Sequence, residues 1–132
     1  MENMKIEFFE PMIPPTITAQ ERKVNFKTRR FYDPPELKAA KLKLESRLAR
    51  HSPDEPIIGP AELMVMWLFP IKGDARSGDW KPTRPDTDNL QKALKDIMTK
   101  LGFWRDDALV CREVIEKRYS DKPGLYIVIE EL

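Results

Sequence analysis

The clearest pattern in the chain is an apolar stripe at helical spacing between residues 88 and 101. Its members follow one another at intervals of four, three and four residues: Leu90, Leu94, Ile97 and Leu101. This spacing places the four side chains on one face of an α-helix, where they can pack against a core. Gly102 follows directly, at the position where a helix end favours a left-handed residue.

Polar residues mark the start of the same helix. Asp88 can accept hydrogen bonds from the first free N–H groups, and Gln91, three residues later, can reach back. This arrangement is typical of a capping box. The pattern therefore predicts a helix over residues 88–101 that begins with Asp88 as its cap.

Five other segments alternate or are rich in residues that favour β-structure. The predicted strands cover residues 4–9, 24–33, 61–69, 108–118 and 125–130. The segment 61–69 is apolar on both faces, which predicts a central strand with a helix on its second face too. Imperfect alternation in 108–118 allows a bulge, and the spacing of the last two strands suits a hairpin.

A second helix is predicted to begin near Asp33, because Pro34 and Pro35 suit a first turn. The order of elements is then β-β-α-β-α-β-β. This is an α+β fold with a mixed sheet and two helices packed on it. A chain of 132 residues is long enough for one domain, spanning residues 1–132, with its own core.

Composition narrows the class of protein. Hydrophobic residues make up 41% of the chain, and no apolar run is long enough to span a membrane. The first residues lack the cationic and apolar regions of a signal peptide, and the single cysteine, Cys111, suits a reducing compartment. We therefore expect a cytoplasmic protein in which Cys111 packs within a strand. One cysteine and one histidine do not suffice for a zinc site.

Four aspartates flank the helix that carries the apolar stripe. Asp86 and Asp88 lie at its start, and Asp106 and Asp107 follow its end. The helix is about 20 Å long, and the extended residues 102–107 can return about 17 Å, so the second pair can approach the first. Carboxylates that converge repel one another unless they share protons or bind a cation. Oxygen ligands favour Mg²⁺ or Mn²⁺, ions that commonly serve phosphoryl transfer.

Each of these residues also has a simpler interpretation. Taken by itself, Asp88 is consistent with a simple helix cap, and Asp106 with Asp107 is typical of a turn. Lys92, one helical turn beyond Asp88, is by itself typical of a solvated helix face. The joint pattern in a fixed order is what favours an active site.

Two motifs stand in fixed order between residues 84 and 110: Asp86-x-Asp88-Asn89-Leu90-x-Lys92 and Gly102-Phe103-Trp104-x-Asp106-Asp107. Together they resemble the signature of the RusA family of Holliday junction resolvases. Members of this family are small Mg²⁺-dependent endonucleases of phages and of bacteria that carry prophages. The order of elements around the motifs also fits.

The resemblance implies roles for particular residues. Asp86, Asp88 and Asp107 match the family's metal-binding carboxylates, and Lys92 matches its catalytic lysine, whereas Asp106 occupies a neighbouring position. The implied cofactor is Mg²⁺, with Mn²⁺ as a substitute. The implied assembly is a homodimer that cuts four-way junctions or other branched DNA in recombination and repair. We expect it to act in the cytoplasm of a bacterial host or phage-infected cell.

Charge is unevenly distributed along the chain. The net charge is only +1, but residues 17–50 hold ten basic and four acidic residues, an excess of six positive charges. Within this segment, Lys27, Arg29 and Arg30 are predicted to contact DNA phosphates. The loop before the first aspartate adds four more candidates: Lys72, Arg76, Lys81 and Arg84. The simpler interpretation is a solvated surface whose cations are neutralised by neighbours.

Two other functions stay open from the sequence alone. One is a non-catalytic DNA- or protein-binding module in which the aspartates only cap and turn. The other is a Mg²⁺ nuclease that acts on RNA or on a different branched DNA. A nuclease assay with and without Mg²⁺ distinguishes them.

Overall fold

Six β-strands and two α-helices make up the structure, a computed structural model that describes residues 3–18 and 23–132. The strands are β1 (Lys5–Pro11), β2 (Lys23–Asn25), β3 (Arg30–Tyr32), β4 (Ala61–Pro70), β5 (Val110–Ser120) and β6 (Gly124–Glu131). The helices are α1 (Pro35–Ala49) and α2 (Thr87–Lys100), and a short 3-10 turn, Asp107–Leu109, precedes β5. The predicted α+β class, with a mixed sheet and two helices, is confirmed.

The main sheet has the strand order β1-β6-β4-β5. Its central strand β4 runs antiparallel to β6 and parallel to β5. Parallel strands require a crossover connection, and α2 supplies it between β4 and β5. The crossover brings the start of α2 to the carboxyl-terminal part of β5, where the Lys117 ammonium donates to the Pro85 carbonyl at 2.7 Å.

One face of β4 forms the centre of the core. Leu63, Val65 and Trp67 on this face are fully buried. Both helices pack here and contribute a shared set of buried side chains: Leu44, Leu48, Leu90, Leu94, Ile97 and Met98. The stripe predicted for α2 is therefore confirmed, with Leu101 partly buried against the same core.

The end of α2 also follows the prediction. Gly102 has a φ of 83°, a conformation that glycine adopts without strain. The Gly102 N–H donates to the Thr99 carbonyl (3.1 Å), and the Phe103 N–H donates to the Met98 carbonyl (3.0 Å). These two bonds satisfy free carbonyls of the last turn, as in a Schellman motif.

The second face of β4 is more open than predicted. Met64, Met66 and Leu68 are only half-buried, and both helices contribute to the core on the opposite face. The prediction of a helix over this second face is therefore wrong for the residues that the structure describes. Sheets with antiparallel pairs can leave one face open to solvent, which the apolar sequence of β4 did not reveal.

Residues 24–33 form a hairpin instead of the single strand predicted. β2 and β3 pair antiparallel with each other, apart from the main sheet. The reversal starts at Asn25, whose side-chain oxygen accepts from the N–H groups of Lys27 (2.9 Å) and Thr28 (3.3 Å). Asparagine competes with strand pairing in this way. Arg29 completes the turn with a φ of 56°.

The last two strands do not form the predicted hairpin. β6 pairs with β1 and β4, whereas β5 lies on the other side of β4. The link 121–123 can pass the end of β4 because that strand stops at Pro70, which is in register with Ser120. Proline has no N–H with which to continue the pairing.

The bulge predicted in β5 is confirmed. Ala61 pairs with Val110 and Glu62 pairs with Arg112, so Cys111 is left out of the register. Cys111 is exposed, and the prediction that it packs within the strand is wrong because the bulge turns it out of the regular alternation.

Part of the basic segment lies outside the residues that the structure describes. Arg22 and its neighbour Glu21, which belong to the basic segment 17–50, lie outside the described residues. Among the residues that are described, no helix is both long and apolar enough to cross a membrane.

Candidate active site

The loop 71–86 connects β4 to α2 and leads into the first candidate aspartate. Its middle is fastened to β5. The Gly78 N–H donates to the Tyr119 carbonyl (2.8 Å), and the Tyr119 N–H donates to the Asp79 carbonyl (2.9 Å). The predicted loop is therefore held along the carboxyl-terminal half of β5 before it enters the helix.

Lys117 on β5 holds the last part of this loop. Its ammonium donates to the carbonyls of Thr83 (2.6 Å) and Pro85 (2.7 Å). Burial lowers the pKa of Lys117, the Lys81 ammonium lowers it further, and the Asp86 carboxylate acts in the opposite direction. A lysine that the sequence did not single out thus lies beside the first candidate carboxylate.

Asp86, rather than Asp88, occupies the cap position of α2. The helix begins at Thr87, and the Asp86 carbonyl accepts from the Leu90 N–H at 3.2 Å. Within the part of the chain that the structure describes, no side chain caps this helix. Asp88 lies exposed in the first turn. The predicted capping box is therefore wrong, and the carboxylate of Asp88 is not used as a helix cap.

Gln91 explains why the capping box does not form. Gln91 is buried, and its Oε1 accepts from the Trp67 indole N–H at 2.6 Å. Its Nε2 donates to one Glu113 oxygen (2.7 Å), and the Lys95 ammonium donates to the other (3.1 Å). This network satisfies a buried indole N–H. It ties α2 to β4 and β5 about one helical turn beyond Asp88.

Asp106 and Asp107 mark the 3-10 turn before β5, and the structure separates their roles. The Asp106 carboxylate accepts from the Ala108 N–H at 2.9 Å and caps the turn. Asp107 is half-buried and contributes to the wall of a cavity. The neighbouring carboxylate is thus structural, and Asp107 is the one that faces open space.

This cavity, of about 380 Å³, lies between α2 and β5. Its wall combines carboxylates with two lysines: Thr87, Asp88, Gln91, Lys92, Lys95, Asp96, Asp107, Glu113 and Ile115. It therefore brings together three of the four candidate catalytic residues, namely Asp88, Lys92 and Asp107. Asp86 lies outside this wall, near Lys117.

The segment after α2 fixes where Asp107 lies. The Ile57 N–H donates to the Phe103 carbonyl (3.0 Å), and the Arg105 N–H donates to the Ile57 carbonyl (3.1 Å). This pairing holds the segment at the amino end of β5, whereas Asp86 lies near Lys117, toward the carboxyl end of the same strand.

The candidate metal ligands suit Mg²⁺ in chemical type, because hard cations prefer carboxylate oxygens. In residues 3–18 and 23–132, however, no group of three His, Cys, Asp or Glu side chains is close enough to hold a metal ion. These side chains have donor atoms of the right type for Mg²⁺, but within one chain they do not lie close enough together to bind it. The assignment of Asp86, Asp88 and Asp107 to a metal site therefore stays a prediction.

The predicted DNA-contacting cations lie in two places. Lys27, Arg29 and Arg30 are exposed in the β2–β3 hairpin. The loop before α2 exposes three more: Lys72, Arg76 and Arg84. These side chains are accessible to a phosphate backbone in both places.

Lys81 differs from the other loop cations. It is half-buried, its ammonium donates to the Thr83 hydroxyl at 2.7 Å, and it lies 5.1 Å from the centre of the Phe69 ring. These contacts give Lys81 a structural role in shaping the loop, alongside any contact with DNA.

Part of the positive charge on α1 is neutralised within the chain. Lys41 pairs with Asp33 at 2.8 Å. Arg47 and Arg50 lie 3.8 and 3.9 Å from the buried carboxylate of Glu10. The simpler interpretation of the basic segment thus holds for these three residues.

The sequence carried a signal for Glu113 and Lys117, two residues near the site that were not predicted. Glu113, Ile115 and Lys117 occupy alternate positions of β5, so they share one face. Ile115 packs against the core, which means that the two charged residues also point toward the helix side. Charged residues on the core-facing side of a strand often line a site. The bulge at Cys111 interrupts the alternation of β5, so the sequence did not show that Glu113 and Lys117 are on this side.

A family model described as endodeoxyribonuclease RusA matches residues 12–130 of the chain. The chain is similar to the crossover junction endodeoxyribonuclease rusA of Lactococcus phage r1t, with 36% identity over 134 residues that cover 98% of this chain and 100% of the relative. It is similar to the uncharacterized protein YqaN of Bacillus subtilis (strain 168), with 30% identity over 111 residues, 76% of this chain and 78% of the relative. Similarity to RusA of Escherichia coli (strain K12) is 48% over 77 residues, 58% of this chain and 64% of the relative. With nearly its whole length matched, the chain belongs to the RusA endodeoxyribonuclease family.

Proposed function

We propose that the protein is a Mg²⁺-dependent, structure-selective DNA endonuclease that resolves Holliday junctions by paired cuts in recombination and repair. The observation that carries this proposal is the family match over residues 12–130. The cavity that gathers Asp88, Lys92 and Asp107 supports it, because these residues belong to the two motifs that resemble the family's signature. The proposed place of action is the cytoplasm of a bacterial host or phage-infected cell.

Three carboxylates are the proposed metal ligands: Asp86, Asp88 and Asp107. Bound Mg²⁺, or Mn²⁺ in its place, would supply a Lewis acid for phosphodiester hydrolysis. The chain's own contribution begins with the shape of the site. The Gln91–Glu113 bond and the Lys117 bonds to the loop hold the start of α2, with Asp86 and Asp88, in place on β5.

Lys92 is the proposed catalytic cation. It lies exposed on the cavity wall, and within the described residues it makes no ion pair, unlike Lys95, which is held by Glu113 at 3.1 Å. An ammonium that is not already neutralised can approach the negative charge that develops on a scissile phosphate. Of the two lysines on this wall, Lys92 is therefore better placed to meet a substrate.

A homodimer is the proposed assembly. A two-fold axis relates two identical cavities, and a four-way junction has two symmetric strands to be cut. The exposed cations of the hairpin and of the loop 71–86 then have a path of phosphates to contact. Phosphate contacts alone fix register and not sequence, which suits an enzyme that selects a branched shape.

A nuclease assay on matched substrates tests the proposal. The purified chain is incubated with a four-way junction, a duplex, a single strand and an RNA stem-loop, with Mg²⁺, with Mn²⁺ or with a chelator. We expect paired nicks in opposite strands of the junction, only with a divalent ion, and a dimer in sedimentation. Equal cleavage of RNA or of single strands would contradict the selectivity. Junction binding without any cleavage would point to a binding module.

A further inference from the structure

The β2–β3 hairpin is exposed on every side. All ten residues from Lys23 to Tyr32 are exposed, including two phenylalanines, Phe26 at 90% and Phe31 at 70%. A two-stranded hairpin of this kind is only marginally stable by itself in water. Large exposed apolar side chains in a cluster are typical of a surface that receives a partner.

The two rings occupy different positions of the hairpin. Phe31 lies directly opposite Val24 in the pairing register, so these two side chains share one face. Phe26 follows the last residue of β2 and lies in the turn, next to the Asn25 side chain that closes it. The hairpin therefore presents one ring on a face and one ring at its tip.

Charge identifies the class of partner. The segment 23–32 contains Lys23, Lys27, Arg29 and Arg30 and no acidic residue. A surface that combines exposed aromatic rings with cations, and lacks carboxylates, is typical of proteins that hold single-stranded nucleic acid. The cations contact phosphates, and the rings stack on bases that are not paired.

We propose that the hairpin binds the branch point of DNA. Phe26 and Phe31 stack on bases exposed there, and the cations of the hairpin contact the flanking phosphates. The inference rests on the proposed function and deepens it. Paired bases inside a duplex are covered on both faces by their neighbours, whereas a branch point offers ring faces. The rings thus add a preference for branched DNA that phosphate contacts cannot supply.

A second copy of the chain fits this surface less well. If two hairpins met about a two-fold axis, four cations of one would face four of the other, and like charges at a contact repel. The same cations are complementary to the phosphates of DNA. The second-copy alternative is retained as an outcome of the test.

The test measures binding to a four-way junction with 2-aminopurine at the branch point and to a duplex of equal length, with Ca²⁺ in place of Mg²⁺ so that the junction stays intact. We expect Phe26→Ala and Phe31→Ala each to weaken junction binding about tenfold, as loss of one stacked base implies. Duplex binding should stay unchanged. The 2-aminopurine signal should change with the wild-type chain and much less with either variant.

Conservative variants separate stacking from apolar contact. Phe26→Trp keeps a flat ring and should bind the junction as the wild type does, whereas Phe26→Leu keeps only apolar bulk and should behave as Ala. Ile58→Ala is the matched control, since Ile58 is 66% exposed and lies outside the hairpin. Thermal unfolding of each variant verifies that the fold is retained.

Four outcomes would overturn the inference. Junction binding that is unchanged in both Ala variants would remove the rings from the DNA contact. Full rescue by Leu, or conversion of a dimer to a monomer in sedimentation, would identify the hairpin as a subunit interface. A wild-type chain that neither binds nor cuts junctions would instead reject the proposed function, and this inference with it.

Discussion

Asp88, Lys92 and Asp107 illustrate what individual residues contribute. Each was predicted as a site residue from the resemblance of the two motifs to the RusA family, and each lies on the wall of one cavity. Asp86 shares the motif but lies beside Lys117 instead. The carboxylate of the neighbouring Asp106 accepts a hydrogen bond from the Ala108 N–H. Side chains with the same chemistry therefore differ in whether they are free to meet a substrate.

The carboxylates give the first prediction at this scale. Asp86→Asn, Asp88→Asn and Asp107→Asn should each abolish cleavage, because each removes the negative charge of a proposed metal ligand without changing volume. Junction binding and thermal unfolding should be largely retained. Asp106→Asn is the control, since an amide oxygen can still accept from the Ala108 N–H, and it should stay active. A fully active variant among the first three, in a Mg²⁺-dependent cleavage assay, would remove that residue from the site.

Lys92 gives the second prediction. A lysine that meets charge in the transition state contributes on the order of 2–4 kcal/mol to the barrier, by analogy with lost oxyanion donors. Lys92→Ala should therefore lower turnover at saturating Mg²⁺ by roughly a hundredfold or more, and thermal stability should change little. Arg should rescue only partly, because its planar group is not a compact charge.

Lys95→Ala is the matched control for Lys92. Both lysines lie on the same helix and line the same cavity, but Lys95 is bound by Glu113 at 3.1 Å. Its loss should lower turnover much less. Equal turnover of the two Ala variants would return Lys92 to the solvated face of α2.

At the scale of elements, the stripe and the end of α2 were predicted correctly, whereas its cap and the turn at Asn25 were not. The stripe and the glycine end of α2 depend on near neighbours and are confirmed. The capping box failed because Gln91 finds Trp67 and Glu113, which are far away in sequence. The strand predicted over 24–33 failed because the side chain of Asn25 closes a turn that alternation alone does not reveal.

Gln91 provides the prediction for this scale. Gln91→Leu keeps an apolar contact but leaves the buried Trp67 N–H without an acceptor, which should lower the free energy of unfolding by about 2 kcal/mol. Urea denaturation measures the change. Lys92→Ala, an exposed change on the same helix, should stay within about 0.5 kcal/mol of the wild type. A Gln91→Leu variant as stable as the wild type would show that water replaces the lost acceptor.

At the scale of the whole molecule, the sequence could predict the α+β class but not the neighbours of each strand. The order β1-β6-β4-β5 depends on contacts between distant segments, and these are not encoded in local periodicity. The same limit applies to the site. The motifs supplied the candidate residues, whereas the positions of these residues relative to β5 depend on how α2 crosses between parallel strands.

The exposed cations give the prediction for the whole molecule. Replacing Arg29 and Arg30 by Ala should weaken junction binding and reduce the slope of log K against log salt by about 2 for each protomer, because fewer phosphate contacts release fewer counterions. Binding titrations at several salt concentrations measure the slope. Lys122→Ala, an exposed lysine in the link 121–123, is the control and should leave it unchanged. An unaltered slope in the double variant would move the DNA path to the cations of residues 38–50 or to the loop 71–86.

The position of β5 at the edge of the sheet has a consequence for aggregation. An exposed edge offers unpaired backbone groups to strands of other molecules. The carboxyl-terminal half of β5 is covered by the loop, through the Gly78 and Asp79 bonds to Tyr119. The other half carries the bulge at Cys111, followed by the charged residues Arg112 and Glu113. A bulge breaks the regular ladder that an incoming strand needs, so the edge that frames the cavity is also protected against fibril-like growth at high protein concentration.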